Sequence, residues 1–154
     1  MFKKILIATD GSVYSEQAAK FGIELAKLSQ GKISILYVAD INSYLPAESI
    51  VPPFGGSNPH AVDKMVADLK DSLIEAGENA TSRIEELAKV VGVPSERLVV
   101  EGHSANEILR FAEDASMDLI VLGKIGKTGL KKFLIGSVAE RVVRNSKVPV
   151  VIVE

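Results

Sequence analysis

The chain contains no cysteine, only two histidines (His60 and His103), and no long apolar run. Without cysteine, thiol catalysis, iron–sulfur clusters and disulfide frameworks are excluded, and two isolated histidines give no zinc-finger spacing. No stretch approaches the ~20 consecutive apolar residues of a membrane helix. Met1-Phe2-Lys3-Lys4 imitates the charged start of a signal peptide, but the apolar run after it reaches only Ala8 before Thr9-Asp10-Gly11-Ser12. A soluble, cytoplasmic protein is therefore expected, with no membrane partner. Net charge is also small, −2, which argues against a general nucleic-acid binder. That total conceals a split: residues 1–119 carry 11 basic and 18 acidic side chains, whereas residues 120–154 carry 7 and 2. A basic last quarter follows an acidic body.

What is present is an ordinary globular mixture, 154 residues with 47% hydrophobic and 25% charged, read as one domain over 1–154. A chain of this size buries a core of its own without disulfide or metal support. Short β-rich runs at Ile5–Ala8, Ile33–Val38, Leu98–Val100, Leu119–Leu122 and Val150–Val153 predict five strands. Between the first two, Tyr14, Ala18, Phe21, Leu25 and Leu28 recur at helical spacing on one face. A longer helical pattern spans about Ala61 to Val91, with its acids on a solvated outer face and Gly77 as a point of interruption. A third helix is expected to open at Ser104, with Glu107 three residues on in a capping-box spacing. A fourth runs from Gly136-Ser137 to Asn145.

Strands alternating with helices predict an α/β fold, an open five-stranded parallel sheet with helices on both faces. The stretch Asp40–His60 holds four of the six prolines. A connection of that length is read either as a plain mobile loop or as a lid or partner contact beside a ligand.

In such sheets ligands bind outside the carboxyl ends of the strands, where strand order reverses. After the first strand stand Asp10, Gly11 and the helix-capping candidate Ser12. After the fourth comes the segment from Gly123 to Ser137, with glycines at 123, 126, 129 and 136 and lysines at 124, 127, 131 and 132. Glycines let backbone amides approach phosphate oxygens, and a helix start presents free N–H groups and partial positive charge. It is not a Walker A loop, because position 121, where that motif needs glycine, is Val121. Nor is it the Rossmann fingerprint, since no two glycines are separated by a single residue. The lysines, taken singly, read as solvated; together they bias this end toward anions. His103 and His60 read as surface residues.

The spacing of Gly123, Gly126, Gly136 and Ser137 resembles the G-x2-G-x9-G-(S/T) pattern of nucleotide-binding universal stress proteins. The opening Ile5–Ser12, the strand Asp118–Gly123, the helix start Gly136–Val142 and the closing Val148–Val153 are similar to that family as well. The resemblance covers the chain outside the variable Asp40–His60 loop. It implies an adenine nucleotide alpha hydrolase-like fold with strand order 3-2-1-4-5, holding ATP, ADP or AMP across the switch point. By position it places Ala8, Thr9, Asp10 and the main chain of Val38 at the adenosine end. Leu122, Gly123 and Gly126 would follow the ribose and first phosphates, and Gly136, Ser137 and Val138 would hold the outer phosphates. Lys124, Ile125 and Ala139 depart from the residues common in the family. Asp10 is read either as a contact to nucleotide or phosphate-bound Mg²⁺, or as a helper in capping the first helix.

The same resemblance implies a nucleotide-dependent regulatory module for stress response, with slow ATP hydrolysis at most and a regulatory protein partner. The alternative is a weak ATPase or a nucleotidyl-transfer enzyme on the same fold. A phosphoacceptor signalling domain fits poorly: it needs an aspartate at the tip of strand three, where this chain has Val99-Val100-Glu101-Gly102. With the implied strand order, the fifth strand lies at an apolar edge, and the family implies a homodimer through that C-terminal strand.

Overall fold

The computed structural model describes residues 1–45, 58–125 and 134–154. Its elements run β1 (Lys4–Ala8), α1 (Val13–Ser29), β2 (Lys32–Ala39), a single 3-10 turn (Ile41–Ser43), α2 (Pro59–Val90), β3 (Ser95–Glu101), α3 (Ser104–Asp114), β4 (Leu119–Gly123), α4 (Ser137–Asn145) and β5 (Val150–Val153). All pairings are parallel and the order is β3-β2-β1-β4-β5. The α/β fold and strand order expected above are those observed.

The central strands are apolar on both faces because both faces are covered. In β1, Ile5, Leu6 and Ile7 are fully buried, and they divide by the two-residue period of a strand. Ile5 and Ile7 pack with Ala18, Ala19, Ile23 and Ala26 of α1 and Ile84 and Ala88 of α2. Leu6 and Ala8 pack with Ala105, Ile108 and Ala112 of α3 and Ala139 and Val142 of α4. Register at the β1–β4 junction is fixed by Asp118, whose Oδ2 accepts the amides of Lys3 and Lys4 at 2.8 Å each.

Several helical details differ from the expectation. The buried face of α1 is Ser15, Ala18, Ala19, Gly22, Ile23 and Ala26, while Tyr14 and Phe21 are 43% exposed and Leu28 83%. Small residues win because α1 lies close on the sheet: a Cβ at Gly22 would stand 2.8 Å from Ile7 Cδ1. Helix α2 begins at Pro59, N-capped by Asn58, and continues through Gly77 without interruption. There Gly77 faces the ring of Tyr37, which packs with Leu73 and Ala80. Strand β3 starts at Ser95, three residues before the apolar run, because its pairing with β2 extends from Ser95 opposite Ile33 to Glu101 opposite Ala39. Of the Asp40–His60 stretch, the first part is the 3-10 turn and the last opens α2; residues 46–57 lie outside the described residues.

Helices α1 and α2 follow β1 and β2 outward in one direction, and the chain then crosses back after β3 to place β4 on the other side of β1. The switch point therefore lies between β1 and β4. Their carboxyl ends, Ala8 and Gly123, open on the same side as the start of α4.

Candidate functional site

A cavity of about 470 Å³ occupies this switch point, within the roughly 300–1,000 Å³ range of small-molecule sites. Ala8, Thr9, Asp10, Val38, Leu122, Gly123, Gly136, Ser137 and Val138 all line it. Nine of the ten residues anticipated from sequence are thus brought together from β1, β2, β4 and α4. The tenth, Gly126, lies outside the described residues, as do Lys127, Lys131 and Lys132.

The wall supplied by β1 is organised by its own hydrogen bonds. Thr9 donates its amide to Leu36 O at 2.9 Å, while its hydroxyl lies 2.8 Å from Ser15 Oγ and accepts the Gly11 amide. Gly11 takes φ +80°, the left-handed region that glycine enters without strain. Asp10 Oδ1 accepts the Ser12 amide at 2.9 Å, an Asx turn, and Ser12 Oγ accepts Ser15 N as the N-cap of α1. Asp10 therefore supports the entry to the first helix and lines the cavity as well. Gly123 fits here because a Cβ would meet the Tyr14 carbonyl group at 3.2 Å and Ser15 N at 3.3 Å.

At the other wall, Gly136 occupies the N-cap position of α4 with φ −64° and ψ 153° and makes no side-chain cap bond. Its amide donates to Lys124 O at 2.8 Å, and the Lys124 amide donates to Val153 O, so the start of α4 is tied to the ends of β4 and β5. Lys124 Nζ pairs with Glu154 Oε1 at 2.7 Å. The exposed Glu154 carboxyl is held below the usual carboxylate range, first by that hydrogen bond and then by the lysine charge.

Sequence reasoning missed Asp40 and Ser104. The expected capping box does not form: the N-cap position of α3 is His103, which is exposed and makes no side-chain cap bond. The cap comes instead from the end of β2. Asp40 Oδ2 accepts Ser104 N at 2.9 Å and Ser104 Oγ at 3.2 Å, which satisfies a free amide and sets negative charge at a helix start. Glu107, the other half of the expected box, pairs with Arg110 instead. Asp40 is 5% exposed and lines the cavity, and its second oxygen, Oδ1, is buried with no hydrogen-bond partner among the described residues. A buried acceptor left unpaired costs roughly 1–3 kcal/mol. The one signal in sequence was positional: Asp40 follows β2 as Asp10 follows β1.

Tyr37 and Tyr44 complete the same end with Leu36 and Ile108. Burial, followed by the neighbouring Tyr44 and Asp10, pushes the Tyr37 hydroxyl up to about 12, so at neutral pH it stays un-ionised. The cavity is thus polarised. One end is the start of α4, which no side chain among the described residues caps and which suits an anion; the other is apolar and aromatic.

A five-stranded parallel sheet with a cavity at its switch point places the chain among the open, doubly wound α/β domains. A sequence model described as the Universal stress protein family matches residues 1–154. Universal stress protein MJ0531 of Methanocaldococcus jannaschii is 39% identical over 154 residues, covering 100% of this chain and 83% of that one. The solved structure of MJ0577 from the same organism aligns with TM-score 0.80 and 32% identity, covering 99% of this chain and 96% of that one. A universal stress protein solved in complex with cAMP shares the fold, with TM-score 0.65, 22% identity and coverage of 99% and 97%. The chain belongs to the universal stress protein family.

Proposed function

We propose that the cavity binds an adenine nucleotide, ATP when fully occupied, and that occupancy governs a regulatory role in stress response. The observation that carries this reading is the contrast between the two helix starts that open on the cavity. The first amide of α3 already bonds Asp40, whereas among the described residues no side-chain cap bond is made at the start of α4. Phosphates therefore go to Gly136, Ser137 and Val138, where the first turn of α4 and its helix dipole favour negative charge. Leu122 and Gly123 then flank the ribose, and Ala8, Thr9, Asp10 and Val38 enclose the adenosine end. Magnesium, in this reading, travels with the phosphates, with Asp10 of the cavity lining as its acid; among the described residues no three His, Cys, Asp or Glu side chains cluster to hold a metal.

Denaturing the purified protein should release an adenine nucleotide, and added ATP should bind the emptied protein. Failure of both would remove this reading. Turnover should remain well below the ~1 s⁻¹ at the low end of typical enzymes; a kcat at or above it favours the alternative of an ATP-hydrolysing or nucleotidyl-transfer enzyme on this fold.

Strand β5 pairs with β4 on one side, and Val150 to Val153 remain partly exposed. An apolar terminal strand of this kind invites pairing. We read it as the edge where a second copy of the chain meets the first across a twofold axis, which closes the assembly. Light scattering at micromolar concentration should give the mass of a dimer; a monomer mass counts against it.

A further inference from the structure

A cation of the cavity lining is already engaged by an acid. Lys124 lines the cavity directly after β4, and Glu154 directly follows β5. The parallel register sets Leu122 opposite Ile152 and Gly123 opposite Val153. It continues one step further, because the Lys124 amide donates to Val153 O at 2.8 Å. By the two-residue period of strands, Lys124 and Glu154 fall on the face of Leu122 and Ile152, which α3 and α4 cover. Leu36, Leu122, Ile108 and Ala139 of that same cluster line the cavity. Lys124 also stands beside the start of α4, since its carbonyl accepts the Gly136 amide at 2.8 Å. Its Nζ lies 2.7 Å from Glu154 Oε1, yet the two side chains differ in enclosure: that of Lys124 is 23% exposed and that of Glu154 82%. The backbone bonds already join these strand ends to α4, so the fold does not need the ion pair to hold them together.

Resting on the nucleotide reading above, we infer that Lys124 binds the ligand's phosphates and that Glu154 competes with them for its ammonium group. A carboxylate in solvent holds a lysine weakly. A phosphate accepts from the same N–H donors and carries more negative charge. On binding, the phosphate takes the ammonium and the Glu154 carboxylate passes into the water it already faces. The lysine, enclosed on most sides, stays in place. Glu154 is thereby a built-in competitor: it lowers affinity for phosphorylated ligands and leaves the uncharged nucleoside part untouched.

The test is a cycle of two residues and two ligands. ATP and adenosine are titrated by calorimetry into wild type, Glu154→Gln, Lys124→Met and the double variant, each emptied of nucleotide and checked by a melting curve. Both substitutions remove charge, nearly preserve side-chain length and leave the backbone bonds in place. Glu154→Gln is expected to tighten ATP by about two- to fivefold, the scale of an exposed ion pair. Lys124→Met should weaken ATP by about tenfold, the loss of a charge-assisted bond. Adenosine should bind all four proteins alike. In the Lys124→Met background, Glu154→Gln should add nothing, because no ammonium remains to compete for. Unchanged or weakened ATP binding by Glu154→Gln overturns the inference. A gain that persists in full without the lysine also overturns it, since Glu154 would then act by repulsion through space. Equal loss of ATP and adenosine in Lys124→Met overturns it too, assigning Lys124 to the shape of the cavity. If wild type binds no ATP, the nucleotide reading itself falls; if wild type binds ATP and the variants match it, this inference alone falls. Should Lys124→Met fail to fold, the ratio of ATP to adenosine affinity in Glu154→Gln decides, a rise supporting the inference and a constant ratio ending it.

Discussion

Gly136→Val is expected to lower ATP affinity by at least a hundredfold while the protein still melts cooperatively within a few degrees of wild type. Gly136 sits at φ −64° and ψ 153°, extended backbone that any residue adopts, so valine brings no backbone strain. Its amide bond to Lys124 O survives the substitution. Valine is a poorer N-cap than glycine, but helix starts without a capping side chain cost only about 1 kcal/mol. The effect on the ligand is of another order, because Gly136 lines the cavity at the start of α4. A branched side chain there takes the volume that phosphate oxygens need and holds them away from that helix start. Calorimetry with ATP and a melting curve on the same sample separate the two effects. Unchanged affinity would show that phosphates do not sit at this helix start; loss of folding would show that Gly136 is needed by the protein before any ligand.

The fold was largely legible in the chain because parallel strands covered on both faces are written as unbroken apolar runs. Ile5-Leu6-Ile7 and Leu119-Ile120-Val121 leave little room for misreading, and all six are buried. The candidate site was legible for a related reason. Once strand ends are known, the residues at and just beyond them are the ones a switch point gathers, and Asp10 and Gly123 follow; Gly136, which precedes α4, came from the glycine spacing. What stayed hidden was set by packing distance. The face of α1 with the larger side chains, Tyr14, Phe21 and Leu28, points outward, since a helix lying close on a sheet needs alanine and glycine beneath it. Hydrophobicity ranks those small residues low although they are the ones in contact. Asp40 stayed hidden because its partner Ser104 is 64 positions away. A local pattern such as Ser104 with Glu107 looks complete by itself, yet the cap is provided across the fold.

Gly77→Ala tests the same lesson on stability, with a sign opposite to that expected for a helix alone. In an exposed helix interior, alanine for glycine stabilises by about 1 kcal/mol. Gly77 lies inside α2 and is buried, and a Cβ there would stand 2.5 Å from Tyr37 Cδ1, 2.9 Å from Cγ and 3.0 Å from Cε1. Real contacts of this kind do not occur, so helix or ring must move. The ring has little freedom: Tyr37 is 3% exposed and is carried by β2, which is paired on both sides by β1 and β3. Overpacking of a filled core typically costs about 1–3 kcal/mol, enough to offset the gain in helix propensity. A net loss of about 1–2 kcal/mol is expected, lowering the midpoint by roughly 2–8 °C for a domain of this size. Tyr37→Leu removes the ring and alters the same contact, so the double variant should recover part of what Gly77→Ala loses, the non-additivity that marks residues in contact. Stabilisation by Gly77→Ala would mean that α2 stands farther from the sheet than the structure shows. Because Tyr37 also lines the cavity, a displaced ring should weaken ATP binding in the same variant, linking the packing of α2 to the occupancy of the site.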